Sequence, residues 1–147
     1  MKWEDAVIIV ANQGELKAFT VTQHERMIQN ELRTIYTPRL INEVDYIEGH
    51  KKLQDVVTDD AGRFGHTIGE EHELENERKR RNLSDIAQTI ENVVAFANPQ
   101  KIYLAFPQEY NAKLLSMLPA DIREKIVMTV PRDLVKTPHS ELLDYFA

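Results

Sequence analysis

The spacing of apolar positions changes several times along the chain, and each change marks a new element. Residues 5–11 (DAVIIVA) form an unbroken β-branched run that stops at Asn12-Gln13-Gly14, a turn in which glycine supplies the left-handed position. Residues 15–23 then alternate, with Leu16, Ala18, Thr20 and Thr22 against Lys17, Phe19, Val21 and Gln23. Together the two runs predict a β-hairpin. Over 24–36 the pattern is ambiguous. Ile28, Leu32, Ile35 and Tyr36 fit a helical stripe, yet the segment is short and no clear cap starts it. After Thr37-Pro38, the β-branched and aromatic residues of 40–48 predict a third strand.

From Gly49 to Gly69 the apolar period disappears, and four of the five glycines fall here. The stretch reads as a long exposed loop with its core at 59–69, and loops longer than about 12–15 residues are usually functional or disordered. Between Gly69 and Pro99 there is neither Gly nor Pro. One continuous helix over these 29 residues would be ~43 Å long. Its halves differ. Residues 70–82 hold one aliphatic side chain, Leu74, whereas Leu83, Ile86, Ala87, Ile90, Val93, Val94 and Ala97 repeat at i, i+3, i+4 and i+7. The second half is expected to pack on a sheet while the first projects into solvent.

Residues 101–106 (KIYLAF) suit a strand covered on both faces. Leu114, Leu115 and Leu118 mark a helix over 108–118, and 126–130 is a last apolar run read as a buried strand. Thr137-Pro138 should open a terminal helix, with a hydroxyl cap and proline at the first helical position. The predicted order is β-β-β-α-β-α-β-α, an α/β fold with a mixed five-stranded sheet in the ribonuclease-H-like arrangement. At 147 residues the chain is expected to be a single domain over 1–147, with the exposed loop and charged helix start at 49–82.

Composition narrows the function classes. Hydrophobic residues at 42% and charged residues at 29% describe a globular chain. Without cysteine there is no disulfide, thiolate metal site or cysteine nucleophile. The longest apolar run, 6–11, is too short for a membrane span or a secretory signal, so a cytoplasmic protein is expected. A net charge of −6 argues against a generic nucleic-acid coat.

Catalytic constellations are scarce. Metal nucleases of ribonuclease-H-like architecture need carboxylates on the first and fourth strands; here the first strand has only Asp5 at its start, and 101–106 has no acid. His66 and His72, among Glu70, Glu71 and Glu73, are six residues apart, which does not align them on one helical face. Gly62, Gly65 and Gly69 match no phosphate-loop spacing. No catalytic residue, metal or cofactor is therefore expected. The segment 70–81 (EEHELENERKRR) runs from acidic to basic. That order suits the helix dipole, with i, i+4 pairs Glu75/Lys79 and Glu77/Arg81. It also places Arg78, Lys79, Arg80 and Arg81 on a projecting helix beside Arg63, where they can reach phosphates.

Trp3, the run 7–10, the turn and alternating second strand, Asp59 with Gly62-Arg63, Leu104 with Pro107, and Asp133-Leu134 with Pro138 resemble the bacterial host-attachment protein family. That family is also described as bacterial relatives of archaeal and eukaryotic peptide-chain release factors. The resemblance implies a fold like the release factor's middle domain, where a glycine-rich loop precedes a long charged helix. The release factor carries Gly-Gly-Gln at that loop tip and uses it in hydrolysing the peptidyl-tRNA ester. This chain has no Gly-Gly-Gln, and 59–69 contains no glutamine. The implied function is a non-catalytic or weakly catalytic factor whose partner is the ribosome or tRNA. Its binding residues would be Gly62, Arg63, Phe64, Gly65, Arg78, Lys79, Arg80 and Arg81. The alternative is a protein–protein interaction module without nucleic-acid binding, using exposed loop residues such as Phe64 and Ile68.

Overall fold

The computed structural model describes residues 2–46 and 68–147. It is a mixed α/β structure around a five-stranded sheet ordered β3-β2-β1-β4-β5. The strands are β1 (Ala6–Ala11), β2 (Glu15–Ile28), β3 (Glu31–Asp45), β4 (Lys101–Ala105) and β5 (Ile126–Val130). Around them lie α1 (Ile68–Ala97), α2 (Gln108–Met117), α3 (Ala120–Lys125), α4 (His139–Leu142) and a closing 3₁₀ turn (Leu143–Phe146). β1 is antiparallel to β2 and parallel to β4, and β5 is parallel to β4.

β1 is buried along its whole length because both sheet faces are covered. Val7, Ile9 and Ala11 pack with Leu16, Ala18, the second half of α1, α2 and α3. Ala6, Ile8 and Val10 face the opposite layer, where Phe19, Tyr103, Leu134, Val135, Leu142 and Phe146 close the core. A continuous apolar run is what such a central strand requires. β5, by contrast, is an edge strand: Val130 is buried and Val127 is 56% exposed. The expectation of a buried final strand therefore holds only at its end.

The largest departure lies at 24–36. No helix forms there; β2 and β3 continue as a two-stranded arm and turn at Gln29-Asn30. Both turn residues have positive φ, 50° and 64°, the geometry of a type I′ turn whose twist matches the flanking strands. In such a turn the flanking pair, Ile28 and Glu31, is hydrogen-bonded, and the ladder alternates from there. Val21 and Pro38 then fall at a non-bonded pair, so the missing N–H of Pro38 faces outward. β3 is an edge strand, which is why proline is tolerated within its 15 residues.

Two helix ends also differ from expectation. Residues 68 and 69, read as loop, begin α1; the remainder of the expected 49–69 loop, 49–67, lies outside the described residues. The terminal helix has Pro138, not Thr137, at its cap position, without a side-chain cap bond. Thr137 instead donates its N–H to the Leu134 carbonyl at 3.0 Å. The short α3 had no separate signal in the apolar spacing. α1 ends as its sequence suggests, with Asn98 left-handed at φ 46° and its N–H on the Val94 carbonyl at 2.8 Å, followed by Pro99.

Candidate nucleic-acid interface

α1 divides where the stripe ends. Leu83, Ile86, Ala87, Ile90, Val93 and Val94 are buried against the sheet. Asn82 marks the boundary: it is buried, and its Nδ2 donates to the Gln13 carbonyl at 2.9 Å, tying α1 to the β1–β2 turn. Its Oδ1 has no partner among the described residues. N-terminal to it, residues 74–81 run past the sheet; Leu74, the single aliphatic residue there, is exposed.

This half carries the four consecutive cations, which the helical twist spreads around the axis. Arg78, Arg80 and Arg81 are exposed. Lys79 is half-buried, contrary to the expectation that all four are free of packing, because it turns towards α2. Its ammonium lies 5.7 Å from the Tyr110 ring centroid. Hydrogen bonding to Tyr110, aided by the nearby charges of Glu75 and Glu109, holds its pKa above the usual lysine value. Arg80 donates to the Glu77 carboxylate at 3.0 Å. Lys79 and Arg80 thus have intramolecular partners, and Arg80 keeps an exposed position beside its own. Gly62, Arg63, Phe64 and Gly65 lie outside the described residues.

At the same end of the sheet, Asn12 organises the turn. Its Oδ1 accepts from the backbone N–H of Gly14 and Glu15 at 2.7 and 2.8 Å, and its Nδ2 donates to Asp133 Oδ2 at 3.0 Å. Asp133 Oδ1 accepts the Val135 N–H, and Lys17 donates to the Val135 carbonyl. Several residues that carry the family resemblance therefore hold the fold together. Asp133 ties the C-terminal segment to the first turn, Leu134 and Leu104 are core, and Trp3 packs 5.1 Å from Tyr103.

Tyr46, just after β3, donates its hydroxyl to Thr89 Oγ1 of α1 at 2.7 Å. Burial above all, with Asp85 adding, raises its pKa, while the Thr89 bond opposes the shift. Burial raises the pKa of Tyr103 as well; its hydroxyl donates to the Lys2 carbonyl.

The sequence reading missed a second cationic surface, on the arm. Opposed residues of paired strands share a face. Thr20, Thr22, His24 and Arg26 therefore lie with Arg39, Thr37, Ile35 and Arg33 on the side of the sheet that α1 covers. The opposite side of the arm carries Val21, Met27, Leu32, Tyr36, Pro38 and Leu40. Met27 and Leu32, directly opposite one another, are 67% and 64% exposed. The division is partial, since Ile28 and Ile35 share the arginine face and Glu25 lies on the other, and alternation over 24–36 reveals it only once the turn at Gln29-Asn30 is known.

No group of three histidine or acidic side chains that could hold a metal ion occurs among the described residues. Nor is any described helix long and apolar enough to cross a membrane. No curated protein matches the chain. A family model does match, over residues 7–146, and the chain belongs to the family described as proteins required for attachment to host cells.

Proposed function

We propose that the protein is a non-catalytic or weakly catalytic ribosome- or tRNA-associated factor, a single cytosolic domain resembling the middle domain of a release or rescue factor without Gly-Gly-Gln. One observation carries the reading. The first half of α1 runs beyond the sheet, buries no aliphatic residue between 74 and 81, and presents exposed Arg78, Arg80 and Arg81. Such a segment adds little to a core, while clustered guanidiniums suit phosphate oxygens, singly or as bidentate pairs. The overall charge of −6 does not oppose this, because the relevant quantity is the local number of phosphates neutralised. The experiment is co-sedimentation with purified ribosomes, and retention of tRNA, at ~50 mM and ~200 mM salt. Binding at the lower concentration that is lost at the higher supports the reading; no binding at the lower overturns it.

A second reading, a protein-interaction module, draws on the apolar face of the arm. Met27 and Leu32 are exposed side by side far from the core, and exposed apolar patches commonly mark contact surfaces. Retention of a protein partner that Met27→Ser with Leu32→Ser abolishes, in a chain that binds no ribosome, would favour it.

A further inference from the structure

We propose that the α1-facing side of the β2–β3 arm and the neighbouring flank of α1 form a groove for single-stranded RNA, with Arg26, Arg33 and Arg39 on phosphates and Phe96 as a base-stacking platform. This rests on the nucleic-acid reading above but concerns a different end of the molecule.

The placement follows from three contacts. Tyr46 bonds Thr89, so the Thr89 flank of α1 faces the β3 side of the sheet. Phe96 lies one heptad further on the same flank, about 10 Å along the axis. The Gln100 N–H donates to the Asp5 carbonyl, which puts the C-terminal end of α1 at the start of β1. β2 is antiparallel to β1 and pairs with it only as far as Thr20, so the arm leaves the sheet at that end. Phe96 therefore stands beside the base of the arm, on the side carrying the arginines. It is 82% exposed, the most exposed large hydrophobic side chain among the described residues. Packing does not account for it.

The charge pattern is equally unexplained by folding. Arg26 and Arg33 are directly opposed across the ladder, a like-charge juxtaposition that destabilises a sheet. Arg39 is on the same face, opposite Thr20, with His24 between. The facing carboxylate on the arm is Glu31, 3.5 Å from Arg33 and itself exposed; Glu25 belongs to the other face. Arg26 and Arg39 make no ion pair among the described residues. On the arm three guanidiniums face one carboxylate, Asp85 being the acid on the α1 flank near Tyr46. That excess of cations complements a polyanion, and an adjacent bare aromatic ring distinguishes a single strand, whose bases are free to stack, from a duplex.

The test is fluorescence anisotropy of a labelled 12-nucleotide oligouridylate, over a range of salt, with unlabelled duplex RNA and polyglutamate as competitors. Arg26→Ala with Arg33→Ala and Arg39→Ala should flatten the slope of log affinity against log salt by about 2 units, at ~0.7 per phosphate contact on a single strand. Phe96→Ala should weaken binding by between about 5- and 150-fold with the slope unchanged, the range expected for one stacked base. Phe96→Trp should restore it, and the triple lysine variant should keep the slope. Arm variants that bind like the wild type, while Arg78→Ala with Lys79→Ala, Arg80→Ala and Arg81→Ala abolishes binding, would overturn the groove and leave the functional reading intact. Wild type that binds ribosomes but no oligouridylate overturns the groove alone; wild type that binds neither overturns both. Equal competition by duplex RNA or by polyglutamate would also contradict it.

Discussion

The hairpin of β2 and β3 contains two structures in one. At its root Leu16, Ala18 and Phe19 are fully buried, whereas residues 23–34 are exposed without exception. The strand propensities of the two parts are similar; what differs is the neighbour. β1 flanks β2 only through Thr20, and burial ends one ladder pair further on, where Val21 packs on the C-terminal layer and Pro38 is buried. α1 repeats the division, with a packed half from Leu83, whereas residues 74–81 bury no aliphatic side chain and only Lys79 among them is half-buried. Coverage by a third element, rather than local preference, separates the core from the parts available for contact. Both uncovered parts carry arginines, on the same side of the sheet but at opposite ends.

Substitutions at the two kinds of site should separate sharply. Leu104→Ala and Ile86→Ala, in the core at 1% and 0% exposure, should each cost about 2–5 kcal/mol in urea unfolding. A loss below 1 kcal/mol at either would mean the packed half is misassigned.

Tyr46→Phe lies at the boundary and should cost about 1 kcal/mol by deleting the bond to Thr89. It should also change the alkaline limb of stability. The Tyr46 pKa is raised in the fold, so the native state holds that proton more tightly than the unfolded chain. Stability is then full below the ordinary value of about 10 and falls as pH rises from there through the folded pKa. Phenylalanine removes this contribution. Unfolding of the variant above pH ~10 should be less steep, with Tyr103 still contributing a loss of the same sign. An unchanged limb would contradict burial of Tyr46.

Smaller effects are expected outside the core. Met27→Ser and Leu32→Ser should each stay within about 0.5 kcal/mol of wild type. A loss of 2 kcal/mol would show that the apolar face of the arm is covered in solution.

Much of this division was legible before the structure. The unbroken runs at β1 and β4 announced central strands, and the lone Leu74 before the Leu83–Ala97 stripe announced a helix that leaves its sheet. The arm was not legible, because Ile28, Leu32, Ile35 and Tyr36 satisfy helical spacing although the pleat divides them between two faces. Sequence spacing also could not show that Lys79 would turn to Tyr110, a contact set by how α1 and α2 pack. The cations of α1 were visible as a run; those of the arm were scattered at 26, 33 and 39 and became neighbours only through the ladder.

The proposed role of residues 74–81 of α1 is to meet phosphate. Its most direct measurement is a salt titration of ribosome and tRNA binding by wild type and by the variant with Arg78, Lys79, Arg80 and Arg81 all changed to Ala. Folding stability should fall by only about 0.5–2 kcal/mol, the sum of ~0–1 for the exposed Arg80–Glu77 pair and ~0.5–1 for the Lys79–Tyr110 contact. The slope of log affinity against log salt should flatten by roughly 2–4 units, as three or four phosphate contacts are lost. An identical slope in both proteins would contradict the assignment of these residues.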